Sequence, residues 1–149
     1  MYEKNTPIVI GCDHAAYDLK EKIKTFIVEK GIEVEDIGTY SQDSVDYPDF
    51  GKKVASLVSS GKFERGILLC GTGIGMSMVA NRFPHVRAAL CSDLFSAIMS
   101  RRHNDSNILV LGGRVIGEAL ALELVKVWLE TPFEGGRHRL RLDKFDRVD

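Results

Sequence analysis

Short apolar runs alternate with amphipathic stretches along the whole chain, and this alternation limits the fold more than any other feature of the sequence. Ile8 to Cys12, Ile32 to Ile37, Gly66 to Cys70, Val86 to Cys91 and Ile108 to Leu111 read as buried strands. Between the first two, Leu19, Ile23, Phe26 and Ile27 recur at helical spacing, and Gly31 suits the helix end. Val54, Leu57 and Val58 mark a second helix that stops near Gly61. A glycine loop after the third run enters a helix reaching about Arg82, and Ser92 or Asp93 can cap a helix running toward His103. Ile116 to Glu130 is amphipathic, with Leu120, Leu124, Val127 and Trp128 on its apolar side. The expected product is one α/β domain over residues 1–149, a five-stranded parallel sheet covered on both faces.

Charge and cysteine usage narrow the function classes. The net charge is −1, so nothing draws the whole chain toward nucleic acid or a membrane surface. No charged-then-apolar leader and no apolar run near ~18 residues is present, so a cytoplasmic chain is expected. Cys12, Cys70 and Cys91 are odd in number and lack metal-ligand spacing, which argues against a disulfide framework or a zinc site.

In a parallel α/β sheet, ligands bind beyond the carboxyl ends of the strands. Two motif-rich turns fall there, Cys12-Asp13-His14 and Cys70-Gly71-Thr72-Gly73-Ile74-Gly75, and they share one crevice if their strands are neighbours. Glycines allow close backbone approach, and a following helix presents free N–H groups to an anion. A dinucleotide fingerprint fails because its third glycine would fall at Met76, although Asp93 imitates the distal acid; no Gly-Lys-Ser/Thr follows to make a nucleotide-phosphate loop. A thiol near a helix N-terminus ionises more readily, so Cys70 is a candidate nucleophile or base, against a plain buried thiol. Asp13 can be a helix cap, His103-Asn104-Asp105 a helix end, and Tyr47 before Pro48 a turn-packing ring. In the basic segment 132–149, Arg137 and Arg141 stand four apart and would share a helical face able to grip a phosphate, against a solvated tail. Without aromatic interleaving, these arginines do not suggest nucleic acid.

Taken together the motifs closely resemble the type B ribose-5-phosphate isomerases. The resemblance rests on Gly11-Cys12-Asp13-His14, Gly38-Thr39, Val45-Asp46-Tyr47-Pro48, the Cys70–Gly75 loop, Ala80-Asn81 and Arg87-Ala88-Ala89. It continues through Ser100 with His103-Asn104, Gly112 to Val115, and Gly135-Gly136-Arg137-His138, over nearly the whole chain. It implies a Rossmann-like three-layer α/β/α domain, a homodimer (with a tetramer open) whose sites lie at the subunit interface, and a sugar phosphate interconverted without metal or organic cofactor.

By that resemblance Cys70 is the base that moves the carbon-bound proton, and the amides of Gly71, Gly73, Ile74 and Gly75 bond the enediolate oxygen. Thr72 assists at the sugar oxygens and His103 opens the furanose ring. Asp13, Asn104 and Tyr47 match sugar contacts. Arg137 and Arg141 match the phosphate grip, with His14 and Arg114 as helpers, some of these reaching across from the partner subunit. Relatives that use a glutamate base lack this cysteine; here Cys70 is present and Met76-Ser77 occupies the glutamate's region, which points to the cysteine subtype. Three alternatives stay open at this point: a hexose 6-phosphate isomerase for allose or galactose phosphates, a non-catalytic sugar-phosphate-binding subunit, and a nucleotide-binding module.

Overall fold

In the computed structural model, which describes residues 5–147, the apolar runs become five strands: β1 Ile8–Cys12, β2 Val34–Asp36, β3 Arg65–Cys70, β4 Ala88–Leu90 and β5 Ile108–Gly112. All pairings are parallel, in the order β2-β1-β3-β5-β4. Six α-helices connect or follow them among the described residues: α1 Tyr17–Glu29, α2 Tyr47–Ser59, α3 Ile74–Ala80, α4 Leu94–Arg102, α5 Glu118–Glu130 and α6 Arg137–Phe145.

Strand side chains point alternately to the two faces, and that period builds the layers. Ile8, Ile10, Cys12, Ile67, Leu69, Leu109 and Leu111 meet Ile23 and Ile27 of α1 and Leu124 and Trp128 of α5. Val9, Leu68, Cys70, Ile108 and Val110 face the other way, onto Val54 and Ala55 of α2 and Met76 and Ala80 of α3. Each fully buried aliphatic side chain contributes about 2 kcal/mol. Cys12 and Cys70 therefore end neighbouring strands on opposite faces.

Two strands are shorter than the sequence suggests. β2 loses its first residues because the Ile32 N–H still closes the end of α1 on the Ile27 carbonyl, at 3.4 Å. β4 starts late because the Arg87 N–H bonds the Asn107 side chain at 2.7 Å, before strand pairing begins. β4 is also the sheet's outer strand beyond β5. The Asn81 side chain completes its free side like a short mock strand: its Oδ1 accepts from the Ala88 N–H at 2.8 Å and its Nδ2 donates to the Ala88 carbonyl at 2.9 Å.

The expected stops at Gly31 and Gly61 hold, both at positive φ, and Asp93 caps α4 through the Ser96 N–H at 2.7 Å. The basic C-terminal segment is partly helical, as α6. Among the described residues no helix is long and apolar enough to cross a membrane.

One buried charge organises the β2 end of the sheet. Lys20 of α1 is fully buried, and its Nζ donates to both oxygens of Asp36 at 2.8 and 2.7 Å and to the Thr39 carbonyl. Burial works to raise the Asp36 carboxyl, but hydrogen bonds from Lys20, Lys24 and the Gly38 N–H outweigh it and hold the group below its usual range. A carboxyl depressed by folding stabilises the native state above its unfolded value, and that stabilisation is lost as pH falls through the folded value. Lys20→Met keeps most of the volume and removes the charge; it should cost about 3 kcal/mol in urea denaturation at neutral pH. The wild type should lose more stability than this variant as pH falls below about 4.

Candidate functional site

The two motif-rich turns lie side by side at the carboxyl ends of the sheet, because β1 and β3 are adjacent and the chain reverses direction across the sheet between them. Asp13 follows β1. Its N–H donates to the Leu69 carbonyl at 3.2 Å and its Oδ1 accepts from the Ala15 N–H at 3.0 Å, capping a single 3-10 turn. His14 Nδ1 accepts from the Val45 N–H at 3.1 Å, so the loop before α2 sets the ring's orientation and leaves Nε2 for another partner.

Cys70 ends β3 on the face covered by α2 and α3, and is 5 % exposed. Its Sγ accepts from the Gly73 N–H at 3.2 Å, so the sulfur is turned into the glycine loop. Gly73 has φ 79°, which favours glycine, and a Cβ there would also crowd the Leu111 backbone carbonyl at 3.1–3.2 Å. The Ile74 N–H donates to the exposed Thr72 hydroxyl at 3.3 Å. Tyr47, at the start of α2, lies directly on Gly75, where a Cβ would stand 2.5 Å from the ring. The end of β5 clamps the loop: the Gly113 N–H donates to the Cys70 carbonyl at 2.9 Å and the Arg114 N–H to the Gly71 carbonyl at 2.8 Å. The exposed Arg114 side chain runs past Gly71.

The other two thiols are different. Burial pushes Cys12 up to about 12, although the Lys20 charge works against it. Burial likewise pushes Cys91 up to about 11, against a hydrogen bond with Ser100. Both stay protonated at neutral pH.

The remaining sequence-derived residues collect at the opposite edge of the sheet. His103 caps the C-terminus of α4, which runs back toward the start of β5, whereas Cys70 pairs with Gly112 at the end of β5. β5 alone spans about 13 Å, so one chain does not bring His103 to Cys70. Around His103 stand Asn104, Glu134 and α6. The His103 and His138 rings stack with centroids 4.2 Å apart and planes 12° apart; Glu134 Oε1 lies 3.9 Å from His103 Nε2. Burial first, then the neighbouring His103 and Arg137 charges, hold the His138 imidazole below its usual range. Arg137 and Arg141 are exposed on α6 and form no ion pair among the described residues. Asn104 lines a cavity of about 690 Å³ with Asn81, Phe83, Ser100 and Phe145; Cys70 does not line it.

His103, Glu134 and His138 bring candidate ligand atoms within 4.8 Å of one another. Their rings are stacked face to face rather than turned edge-on to one point, and arginines border them. This arrangement suits an anion better than a cation. Glu134 and the His103–His138 stack were not assigned from sequence; the Gly135-Gly136-Arg137-His138 string was the available signal, but only the fold shows His138 turned onto His103.

A family profile, Ribose/Galactose Isomerase, matches residues 8–145. The chain is 45% identical over 142 residues to ribose-5-phosphate isomerase B of Escherichia coli, covering 95% of each protein. It superposes on a ribose 5-phosphate isomerase of Thermotoga maritima with TM-score 0.92 at 55% identity, covering 96% of this chain and 99% of that one. It also superposes on ribose-5-phosphate isomerase B of Mycoplasma genitalium with bound ribulose-5-phosphate, with TM-score 0.91 at 38% identity over 95% of this chain and 94% of that one. A thiol turned into a glycine loop at one sheet edge, histidines and arginines at the other, and similarity over almost the full length lead to one assignment: the chain belongs to the ribose/galactose isomerase family.

Proposed function

We propose that this chain is an aldose–ketose isomerase that interconverts ribose 5-phosphate and ribulose 5-phosphate, and that it works as a homodimer. The observation that carries the chemistry is the 3.2 Å contact from the Gly73 N–H to Cys70 Sγ. It sets a thiol at the strand end beside a loop of backbone donors. Cys70 takes a proton from C2 of the opened aldose and returns it to C1, while the hydroxyl proton on O2 passes to O1, leaving C2 as the ketone carbon. The negative charge that develops on the enediolate oxygen is met by N–H groups of the loop from Gly71 to Gly75, and preorganised donors of this kind are worth about 3 kcal/mol each. Thr72 and Tyr47 border the sugar, and Asp13 holds the turn that carries His14.

His103 supplies the proton transfers of ring opening, a task suited to imidazole because its two nitrogens can accept and donate a proton. Arg137 and Arg141 take the phosphate as a pair of guanidiniums, with His14 and Arg114 beside them. These groups lie at two edges of one sheet, so the reading requires a second copy that presents its His103 edge to the Cys70 edge of the first. The exposed Ile74, Met78, Leu90, Leu94 and Phe95 give that encounter an apolar surface near the loop.

Purified chain should turn over ribose 5-phosphate with a chelator present, and kcat/KM should exceed that for allose 6-phosphate. A higher value for the hexose would move the assignment to a hexose phosphate isomerase, and no turnover of either would leave a binding subunit. NAD or ATP should not raise the Tm, whereas ribose 5-phosphate should.

The shared site has a sharper check. Cys70→Ala and His103→Asn should each be nearly inactive. Equilibrating equal amounts should restore about one quarter of wild-type activity, because half the dimers are mixed and each holds one intact site. No recovery after proven exchange would place both residues in one chain's site.

Iodoacetamide at neutral pH should modify Cys70 and spare Cys12 and Cys91, read by peptide mass spectrometry. Labelling spread over all three would remove the special status of Cys70.

A further inference from the structure

Two residues beyond His103, one carboxylate holds three guanidiniums. Asp105 Oδ1 accepts from Arg101 Nη1 at 2.9 Å; its Oδ2 accepts from Arg139 Nη2 at 3.2 Å and from Arg87 Nη2 at 3.4 Å. Its backbone carbonyl accepts from Arg87 Nε at 2.9 Å. The three arginines come from α4, from α6 and from the approach to β4. The side chain of Asp105 is 14% exposed and that of Arg101 only 2%. Asp105 also sits at φ 46°, the left-handed region that aspartate tolerates better than most non-glycine residues.

Beyond the His138–His103 stack, the buried Leu142 and the Glu134 N–H on the Arg102 carbonyl at 3.1 Å, α6 is held by ion pairs. Among the nine residues of α6 only His138 and Leu142 are buried. The helix is entered through Gly135 and Gly136, both at positive φ, around which a Cβ would meet nothing within 4 Å. Apolar packing and the entering turn therefore set its tilt weakly. Two ion pairs hold its body: Arg139 to Asp105, and Arg87 to Asp146 just past its end at 3.2 Å. Arg139 lies between Arg137 and Arg141 in sequence but about 160° round the helix from each of them. A strut on that side turns Arg137 and Arg141 outward.

We propose that Asp105 is a positioning residue for the reaction. Through Arg139 it sets the angle of α6, and with it the phosphate grip of Arg137 and Arg141. Through Arg101 it fixes the turn that carries His103. The proposal rests on the reaction assigned above, but the strut can be read without turnover.

The test uses Arg139→Met, which removes the fork and keeps a stem to pack on Phe133, and Lys144→Met, which removes an equal charge from α6 without touching Asp105. The first should raise KM for ribose 5-phosphate about fivefold and leave kcat within about twofold. The second should leave KM within about twofold. Calorimetric titration with inorganic phosphate should weaken by the same factor in Arg139→Met alone. A merely destabilised protein would lose apparent kcat at unchanged KM. That result, or an equal KM rise in both variants, would overturn the proposal. Asp105→Asn should add a fall in kcat, restored in part by Asp105→Glu; if Asp105→Asn does not fold, the Arg139 and Lys144 pair still decides. If the wild-type chain isomerises nothing but binds phosphate and loses it in Arg139→Met, the reaction assignment fails and the strut stands.

Discussion

A parallel sheet has two unlike edges, and the length of its strands keeps them apart. At one edge the strands finish and loops gather; at the other, helices return and the next strand begins. In this chain the thiol, the glycine loop, Asp13 and His14 are at the first edge. The stacked histidines and α6 are at the second. No loop movement of ordinary size crosses a span of about 13 Å through a packed core. On the proposed reading, that separation makes the polar residues two half-sites, and association becomes a condition of the chemistry.

Each edge is built by a different kind of force. The thiol edge is set by backbone geometry: the left-handed Gly73, the Tyr47 ring on Gly75, and two amide bonds from the end of β5. Such contacts carry no net charge. The histidine edge is set by charge, with Asp105 facing Arg87, Arg101 and Arg139. A third polar anchor, Lys20, is fully buried and serves the thiol edge indirectly, because it holds Asp36 and the Thr39 carbonyl at the root of the loop that reaches His14 through the Val45 N–H.

Much of this was legible in the amino-acid sequence. Apolar runs placed all five strands and helical spacing placed α1, α2 and α5, while α3 and α4 were read from the glycine loop and the cap at Ser92 or Asp93, and α6 stayed conditional. The runs overran at β2 and β4, where backbone groups bond a helix end and the Asn107 side chain instead of a neighbouring strand. The pairing of β1 with β3 was anticipated as a condition for one crevice, and the thiol and its loop were placed by resemblance and by strand-end position. The edge that holds His103 follows from its place on a helix joining two parallel strands, since such a helix must return to their starting edge, but that conclusion was not drawn from the sequence. The Asp105 cluster was hidden for another reason: Arg87, Arg101, Asp105 and Arg139 are ordinary surface types in sequence and meet only after β4, α4 and α6 are packed.

The side chain of Asn81 has a consequence for assembly. A three-residue outer strand whose first outward backbone pair is already engaged offers a second sheet almost nothing to lengthen onto. Copies that meet near β4 must do so through side chains, so their contact can be undone without tearing a ladder, and a continuous ribbon across two molecules is disfavoured from the start.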